Sequence, residues 1–128
     1  MTREIVESPG APAPIGPYSQ AVRAGGFLFV SGQIPLDPQT GQLVQGGIAA
    51  AAERALRNLE AVFKAAGAGL DQAVKVNVYL KDLNDFAAVN EVYSRFFGSS
   101  KPARACVECS RLPRDVPVEI DAVAWLGE

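Results

Sequence analysis

The spacing of apolar residues divides the chain into short strands and amphipathic helices. From Ile48 to Ala66 apolar residues recur about every 3.6 positions, which predicts a helix with one buried face, ended near Gly67. Residues 73–81 alternate instead, which predicts a strand with Val74, Val76, Val78 and Leu80 on its apolar face.

A second helix is predicted between Asp82, which can cap its N-terminus, and Gly98, which can end it. The expected buried stripe consists of Phe86, Val89, Tyr93, Phe96 and Phe97. Two further strands are expected over Ala103 to Cys109 and Pro117 to Leu126.

The N-terminal part contains shorter elements. Residues 4–6 could form an edge strand, and the proline-rich segment from Ser8 to Tyr18 is expected to be an ordered extended loop. Residues 20–23 and 27–31 flank Gly25-Gly26, a dipeptide that tolerates the positive φ of a tight turn, and so predict a β-hairpin.

The resulting order, β-β-β-α-β-α-β-β, predicts an α+β fold with one sheet and one helix layer, in a single domain over residues 1–128. Along the last two strands, Arg104, Cys106 and Glu108 share one face of the first, and Glu119, Asp121, Val123 and Trp125 share one face of the second. We expect these faces to lie opposite the helices. Another subunit would then cover Tyr79, Val123 and Trp125 and leave polar pockets at the subunit interface.

Composition narrows the possible chemistry. The 128 residues are 48% hydrophobic, carry a formal charge of −2 and include no histidine. The absence of histidine excludes Ser-His-Asp and Cys-His catalysis and zinc sites that need imidazole, and the net charge disfavours nucleic acid as a partner. No apolar run approaches the roughly 20 residues of a membrane span, so we expect a soluble, cytoplasmic protein.

Cys106 and Cys109 have the CxxC spacing of redox and zinc sites. On an extended strand these positions lie on opposite faces about 10 Å apart, beyond the separation of about 6.8 Å that a disulfide allows. Two reduced, partly buried cysteines are therefore the simpler interpretation.

The most informative charged side chain is Arg104, whose planar guanidinium suits a carboxylate. A structural ion pair with Glu119 or Glu108 is the simpler interpretation, and binding of an anionic ligand is the alternative. The same two interpretations apply to Glu119.

Three polar positions admit a structural and a functional interpretation. Asn90 could anchor a loop or line a pocket, and Tyr18 could pack on the proline-rich loop or cover a pocket. Ser31 lacks a base that would make it a nucleophile, so a hydrogen bond at a strand end is its simpler role.

Five segments carry distinctive motifs: IGPY (15–18), SGQIP (31–35), KDLNDF (81–86), PARACVE (102–108) and RLPRDVPVEI (111–120). In this order they resemble the reactive intermediate deaminase (Rid) family, specifically its RidA group. Ala105 stands where that family commonly has serine, and Cys109 replaces an aliphatic residue; we expect Cys109 to point toward the helix layer.

The resemblance implies a chorismate-mutase-like subunit with two helices on one face of a mixed sheet, assembled as a homotrimer with active sites between subunits. It implies hydrolysis of 2-aminoacrylate, 2-iminopropanoate and 2-iminobutanoate, which pyridoxal-phosphate enzymes release, to 2-oxo acids and ammonia, with no metal or cofactor.

By the same resemblance, Arg104 binds the substrate carboxylate, Glu119 holds the attacking water, and Cys106 lies beside the imine through its backbone. Tyr18, Ser31, Gly32 and Asn90 line or support the pocket. Two rival functions remain open: a non-catalytic module that binds small carboxylates or acts like a chaperone, and action on RNA, which the charge and the missing histidine disfavour.

Overall fold

Six strands form one mixed sheet with two helices on one of its faces in the computed structural model, which describes residues 2–127. The elements are β1 (Arg3–Val6), β2 (Ala21–Ala24), β3 (Phe27–Gln33), α1 (Gly47–Ala65), β4 (Ala73–Leu80), α2 (Phe86–Phe97), β5 (Ala103–Glu108) and β6 (Val118–Trp125). The predicted α+β class and the order of elements are confirmed.

The strand order in the sheet is β1-β2-β3-β6-β4-β5. Neighbouring strands are antiparallel except β4 and β5, which are parallel and are joined through α2, as a parallel pair requires a crossover. The last strand, β6, therefore lies between β3 and β4, while β1 and β5 form the two edges.

The core lies between the helices and one face of the sheet. Along β6, Val118, Ile120, Ala122 and Ala124 are buried and alternate with more exposed residues, as one covered face requires. From α1 the core receives Ala51, Ala52, Ala55, Leu56, Leu59, Val62 and Phe63. Neither helix has the length and apolar character needed to cross a membrane; this finding applies to residues 2–127.

The second helix differs from its prediction at its start, whereas its end before Gly98 is as predicted. Asp82 caps a 3-10 turn over residues 83–85, where its side chain accepts a hydrogen bond from the Asn84 N–H, and α2 follows directly. The buried residues of α2 are Val89, Val92, Tyr93 and Phe97. Phe86 lies too near the helix start to reach the core and is exposed.

An irregularity in β4 explains a further error in the predicted core. The register against β6 shifts between Ala73 and Lys75, so that Ala73 is buried and Val74 is exposed. Strict alternation resumes at Val76. The sequence pattern does not reveal such a bulge because it adds no turn residue.

The proline-rich loop is ordered, as predicted. The buried side chain of Gln20 makes the hydrogen bonds to the loop backbone that a neighbouring strand would make in a sheet. Its amide oxygen accepts the Ser8 N–H at 2.6 Å, and its nitrogen donates to backbone oxygens of Ser8, Ala11 and Pro12. The hairpin between β2 and β3 is also confirmed, with positive φ at Gly25 and Gly26.

Candidate active site

The predicted site residues occupy opposite faces of the sheet. In the β4–β5 register Arg104 lies opposite Val76 and Cys106 opposite Val78, both core residues, so these side chains lie on the helix side. Glu119 lies opposite Tyr79 and belongs to the open face. The expectation that Arg104, Cys106 and Glu108 share the open face with Glu119 is wrong, because the register of β5 was not readable from alternation within one strand.

Side chains of α2 hold the Arg104 guanidinium at the rim of the subunit. Nη1 donates to Asn90 Oδ1 at 2.7 Å, and the guanidinium carbon lies 4.7 Å from the centroid of the Tyr93 ring and 5.5 Å from that of Phe86. Aromatic faces attract a guanidinium without neutralising its charge. Arg104 is thus oriented, and its other N–H donors have no hydrogen-bond partner among residues 2–127.

The predicted ion pair of Arg104 with Glu119 or Glu108 is wrong. Glu119 lies on the other face, and Glu108 accepts the backbone N–H of Leu83 at 2.9 Å. Within residues 2–127 Arg104 forms no salt bridge with any carboxylate. The alternative interpretation, binding of an external anion, stays a prediction.

A cavity of about 480 Å³ lies beside Arg104, between α2 and the start of β5. It is lined by Asn90, Tyr93, Ser94, Phe97, Gly98, Lys101, Pro102 and Arg104. Asn90 therefore both lines a pocket and orients the arginine. Sequence reasoning missed Tyr93 as a site residue because its position in the apolar stripe indicated packing alone.

The side chain of Cys106 packs against the core rather than toward a ligand. Burial raises the pKa of its thiol, and the nearby Arg104 charge opposes that rise. A neutral, half-buried thiol is a poor nucleophile. Cys106 and Glu108 lie on the helix side of β5, so alternation turns Cys109 to the open face, where Tyr79 also lies. The prediction that Cys109 points toward the helices is wrong.

On the open face the carboxyl group of Glu119 lies against Gly32. A Cβ built at position 32 would lie 2.8 Å from Glu119 Cδ and 3.0 Å from Cγ, closer than atoms pack. Burial and, to a lesser degree, the negative charge of Asp121 raise the pKa of Glu119. Gly32 lies where the β3–β6 register shifts between Val30 and Gln33, a type of irregularity common beside active sites.

Asp121 has a hydrogen-bonding role that sequence reasoning did not assign. Its Oδ1 accepts from Asn77 Nδ2 at 2.8 Å and its Oδ2 from the Tyr79 hydroxyl at 3.0 Å. Alternation already placed these residues on one face of their strands. The signal needed to join them was the β4–β6 register, which is tertiary information.

Ser31 donates its hydroxyl proton to the Ser19 carbonyl oxygen at 2.6 Å, which confirms the hydrogen bond expected at a strand end. This bond ties the residue before Gly32 to the segment that carries Tyr18. The Tyr18 side chain is about half exposed (53%), and its ring lies over Gly16 of the proline-rich loop. Tyr18 therefore packs on the loop, and its role in covering a pocket stays a prediction.

One chain thus supplies two half-sites: an oriented cation on the helix side of β5, and a carboxyl group of raised pKa on the open face of β6. Chemically, the first group is suited to binding a small carboxylate and the second to exchanging a proton with water. Among residues 2–127 no three cysteine or acidic side chains gather closely enough to hold a metal ion.

Comparison with known proteins identifies the family. The family model described as endoribonuclease L-PSP matches residues 9–126. A RutC family protein from Pyrococcus abyssi is 56% identical over 98% of both chains, and the 2-iminobutanoate/2-iminopropanoate deaminase of Mus musculus is 48% identical over 99% of this chain and 94% of its own. The crystal structure of E. coli TdcF with bound serine superposes with a TM-score of 0.92 at 43% identity, covering 97% of this chain and 99% of that one. The chain therefore belongs to the endoribonuclease L-PSP family, the Rid family that its motifs resemble.

Proposed function

We propose that this protein hydrolyses small 2-imino acids, namely 2-iminopropanoate, its enamine tautomer 2-aminoacrylate, and 2-iminobutanoate, to 2-oxo acids and ammonia. The observation that carries the proposal is the Arg104 guanidinium, which Asn90 and two aromatic rings orient without a carboxylate partner among residues 2–127. A deaminase name on the mouse relative and a serine in TdcF agree with a site for small amino-acid-like carboxylates.

Arg104 and Glu119 lie on opposite faces of the same sheet, so they do not meet on one substrate within a subunit. We infer a homotrimer of chorismate-mutase-like subunits in which Arg104 of one subunit faces Glu119 of the next. β5 is an edge strand, which places Arg104 at the rim of the subunit. On the open face Phe27, Phe29 and Trp125 stay between 38% and 48% exposed in the isolated chain. An apolar surface of this kind favours a protein partner.

The reaction needs positioning more than a strong nucleophile, because a protonated imine carbon is already electrophilic. Arg104 clamps the carboxylate, and the Cys106 backbone lies beside the imine on an edge strand with one unpaired side. Glu119 accepts a proton from water as the C–O bond forms and the C=N π electrons move to nitrogen. Glu119 then returns the proton to the nitrogen. As the C–N bond breaks, the hydroxyl oxygen forms the C=O bond and its proton passes to the departing ammonia, which leaves as ammonium. Such acid–base work contributes about 10²- to 10⁴-fold.

The remaining site residues shape the pocket in this proposal. Gly32 allows the Glu119 carboxyl group to lie where it does, and Ser31 fixes the adjoining backbone. Tyr18 would cover the bound substrate, and Asn90 keeps the guanidinium in position. The proposal assigns no metal-binding or cofactor-binding role to these residues.

The test is the rate of 2-iminopropanoate loss, with the imine generated in situ by an amino-acid oxidase. Wild type, Arg104→Ala and the matched control Arg95→Ala are compared after each is shown to be folded. Arg95 is an exposed arginine of α2 that pairs with Glu91. Acceleration by wild type and by Arg95→Ala but not by Arg104→Ala supports the proposal. No acceleration by wild type overturns it.

A separate measurement tests the shared site. Sedimentation equilibrium of the native protein should give the mass of three chains. A mass near that of one chain would contradict a site built from two subunits, whatever the activity.

RNA cleavage is the second candidate, because the matched family model is described as an endoribonuclease. The chain offers no histidine for acid–base cleavage, and the open face carries the acidic pair Glu119 and Asp121. Binding to RNA through phosphates would weaken steeply with salt. Titration of RNA at low and at high salt should show no salt-dependent binding; tight, salt-dependent binding would favour the nuclease.

A further inference from the structure

Asp121 is the most tightly held carboxylate on the open face. Both of its oxygens accept a hydrogen bond from β4, one from Asn77 Nδ2 at 2.8 Å and one from the Tyr79 hydroxyl at 3.0 Å. Neither donor is charged, so the negative charge of Asp121 is fixed in place but not neutralised by them. The mechanism proposed above uses none of these three residues.

The same residues surround Glu119. Tyr79 is its direct partner in the β4–β6 register, Asp121 is the next residue on the same face of β6, and Gly32 of β3 lies against its carboxyl group. The Tyr79 ring thus starts opposite Glu119 and its hydroxyl reaches Asp121, which links the two acidic residues diagonally.

We propose that Asp121 and Tyr79 are positioning residues for the proton on Glu119: Tyr79 holds Asp121 in place, so that a fixed negative charge lies beside the Glu119 carboxyl group. This inference rests on the proposed function, in which Glu119 takes a proton from water and returns it to the leaving ammonia. The new element is the assignment of the Asn77–Asp121–Tyr79 hydrogen-bond network to control of that proton.

The physical reason is the effect of a like charge on a general base. A second carboxylate nearby favours the protonated form of the first, and burial acts in the same direction, so the pKa of Glu119 is raised. Proton exchange is most efficient when the pKa of the catalytic group approaches the working pH. The negative charge that the network holds therefore shifts the pKa of Glu119 upward, toward the working pH.

Tyr79 keeps the network intact across the working pH range. Burial and the bond to Asp121 raise the pKa of the Tyr79 hydroxyl to about 12, so it stays a donor at neutral pH. The other groups near the network are the Cys109 thiol, which follows β5, and Lys75, which lies two residues before Asn77 on β4. Lys75 forms no salt bridge with Asp121.

The charge of Asp121 is tested with Asp121→Asn, which keeps the size of the side chain and an acceptor for Tyr79. The matched control is Asp71→Asn, an exposed aspartate in the turn before β4. The titration midpoint of the Glu119 carboxyl carbon is followed by NMR in ¹³C-glutamate-labelled protein, with the signal assigned by its loss in Glu119→Gln. We expect the midpoint to move to lower pH in Asp121→Asn and to stay in place in Asp71→Asn.

Steady-state kinetics of the variants provide a second test of the inference. The acidic limb of the kcat/KM profile should move to lower pH in Asp121→Asn. Tyr79→Phe should lower kcat roughly tenfold with KM unchanged, the size expected when one hydrogen bond to a charged group is lost. If Asp121 had only a structural role, Asp121→Asn would lower stability and leave the acidic limb of the kcat/KM profile at the same pH.

Two results would overturn the inference: an unchanged Glu119 midpoint in Asp121→Asn, or unchanged kcat in Tyr79→Phe. The NMR midpoint requires no substrate. It therefore separates failure of this inference from failure of the proposed function, which would appear as absence of imine hydrolysis by the wild type.

Discussion

The carboxyl group of Glu119 lies so close to the α-carbon of Gly32 that a side chain at position 32 would occupy the same space. Gly32 does not have the positive φ that makes glycine necessary at turns such as Gly25-Gly26. Close approach, rather than backbone conformation, is thus the reason for glycine at this position.

This contact predicts that Gly32→Ala separates activity from stability. The added methyl group meets the flexible end of Glu119, which can swing away, so the free energy of unfolding should change by no more than about 1 kcal/mol. The displaced carboxyl group should cost up to about 10²-fold in kcat for imine hydrolysis. Gly10→Ala, where a Cβ makes ordinary contacts, is the control. Full activity in Gly32→Ala would show that Glu119 acts from another position.

A second prediction concerns the orientation of Arg104. Asn90→Ala removes the acceptor for Nη1 but leaves the stacked rings of Tyr93 and Phe86. We expect KM for 2-iminopropanoate to rise roughly tenfold with kcat little changed, because a binding contact rather than a transition-state contact is weakened. Steady-state kinetics of Asn90→Ala beside the exposed control Asn84→Ala would show this, and an equal fall in kcat would argue for a catalytic role of the amide.

A third prediction concerns Cys106, whose proposed role depends on its backbone. Because burial raises the pKa of the thiol, it should be alkylated slowly by iodoacetamide at neutral pH and faster as pH rises. Cys106→Ser should retain most of kcat/KM. Peptide mapping after timed alkylation and kinetics of the variant provide the two measurements, and loss of activity on the scale of 10²-fold would indicate a direct role of the sulfur.

Most of the fold follows from patterns within single elements. The spacing in α1, the glycines of the β2–β3 hairpin and the alternation in β6 each report a local preference, and the structure has all three. The bulge at Val74 and the exposure of Phe86 were not predictable in this way, because they depend on how β4 and α2 meet their neighbours.

The candidate site was less predictable than the fold because its geometry depends on pairing between strands. Alternation shows that Arg104 and Cys106 share a face, but only the register against Val76 and Val78 shows that this face is covered by helices. The division of Arg104 and Glu119 between two faces has no signature in either strand. It is this division that makes a second subunit necessary to the proposed mechanism.

The last prediction concerns the cost of keeping Glu119 in its half-site. Its pKa is raised above the ordinary value of 4.5, so between the two values the folded protein holds a proton that the unfolded chain has released. The contribution of this group to stability is therefore complete below the ordinary pKa and is lost as pH rises through the folded pKa.

Glu119→Gln cannot ionise, so it should be more stable than wild type at about pH 8 and similar to it at about pH 4, while imine hydrolysis falls by about 10²-fold or more. Urea unfolding of both proteins across this pH range gives the difference in free energy, and the exposed Glu7→Gln supplies the control. If the free energy of unfolding depends on pH in the same way for wild type and Glu119→Gln, the folded protein does not raise the pKa of Glu119. That result would remove the reason for treating Glu119 as the acid–base group. A rise in stability together with a loss of activity would instead show that burial and the Asp121 charge destabilise the fold at the position where they adjust the base.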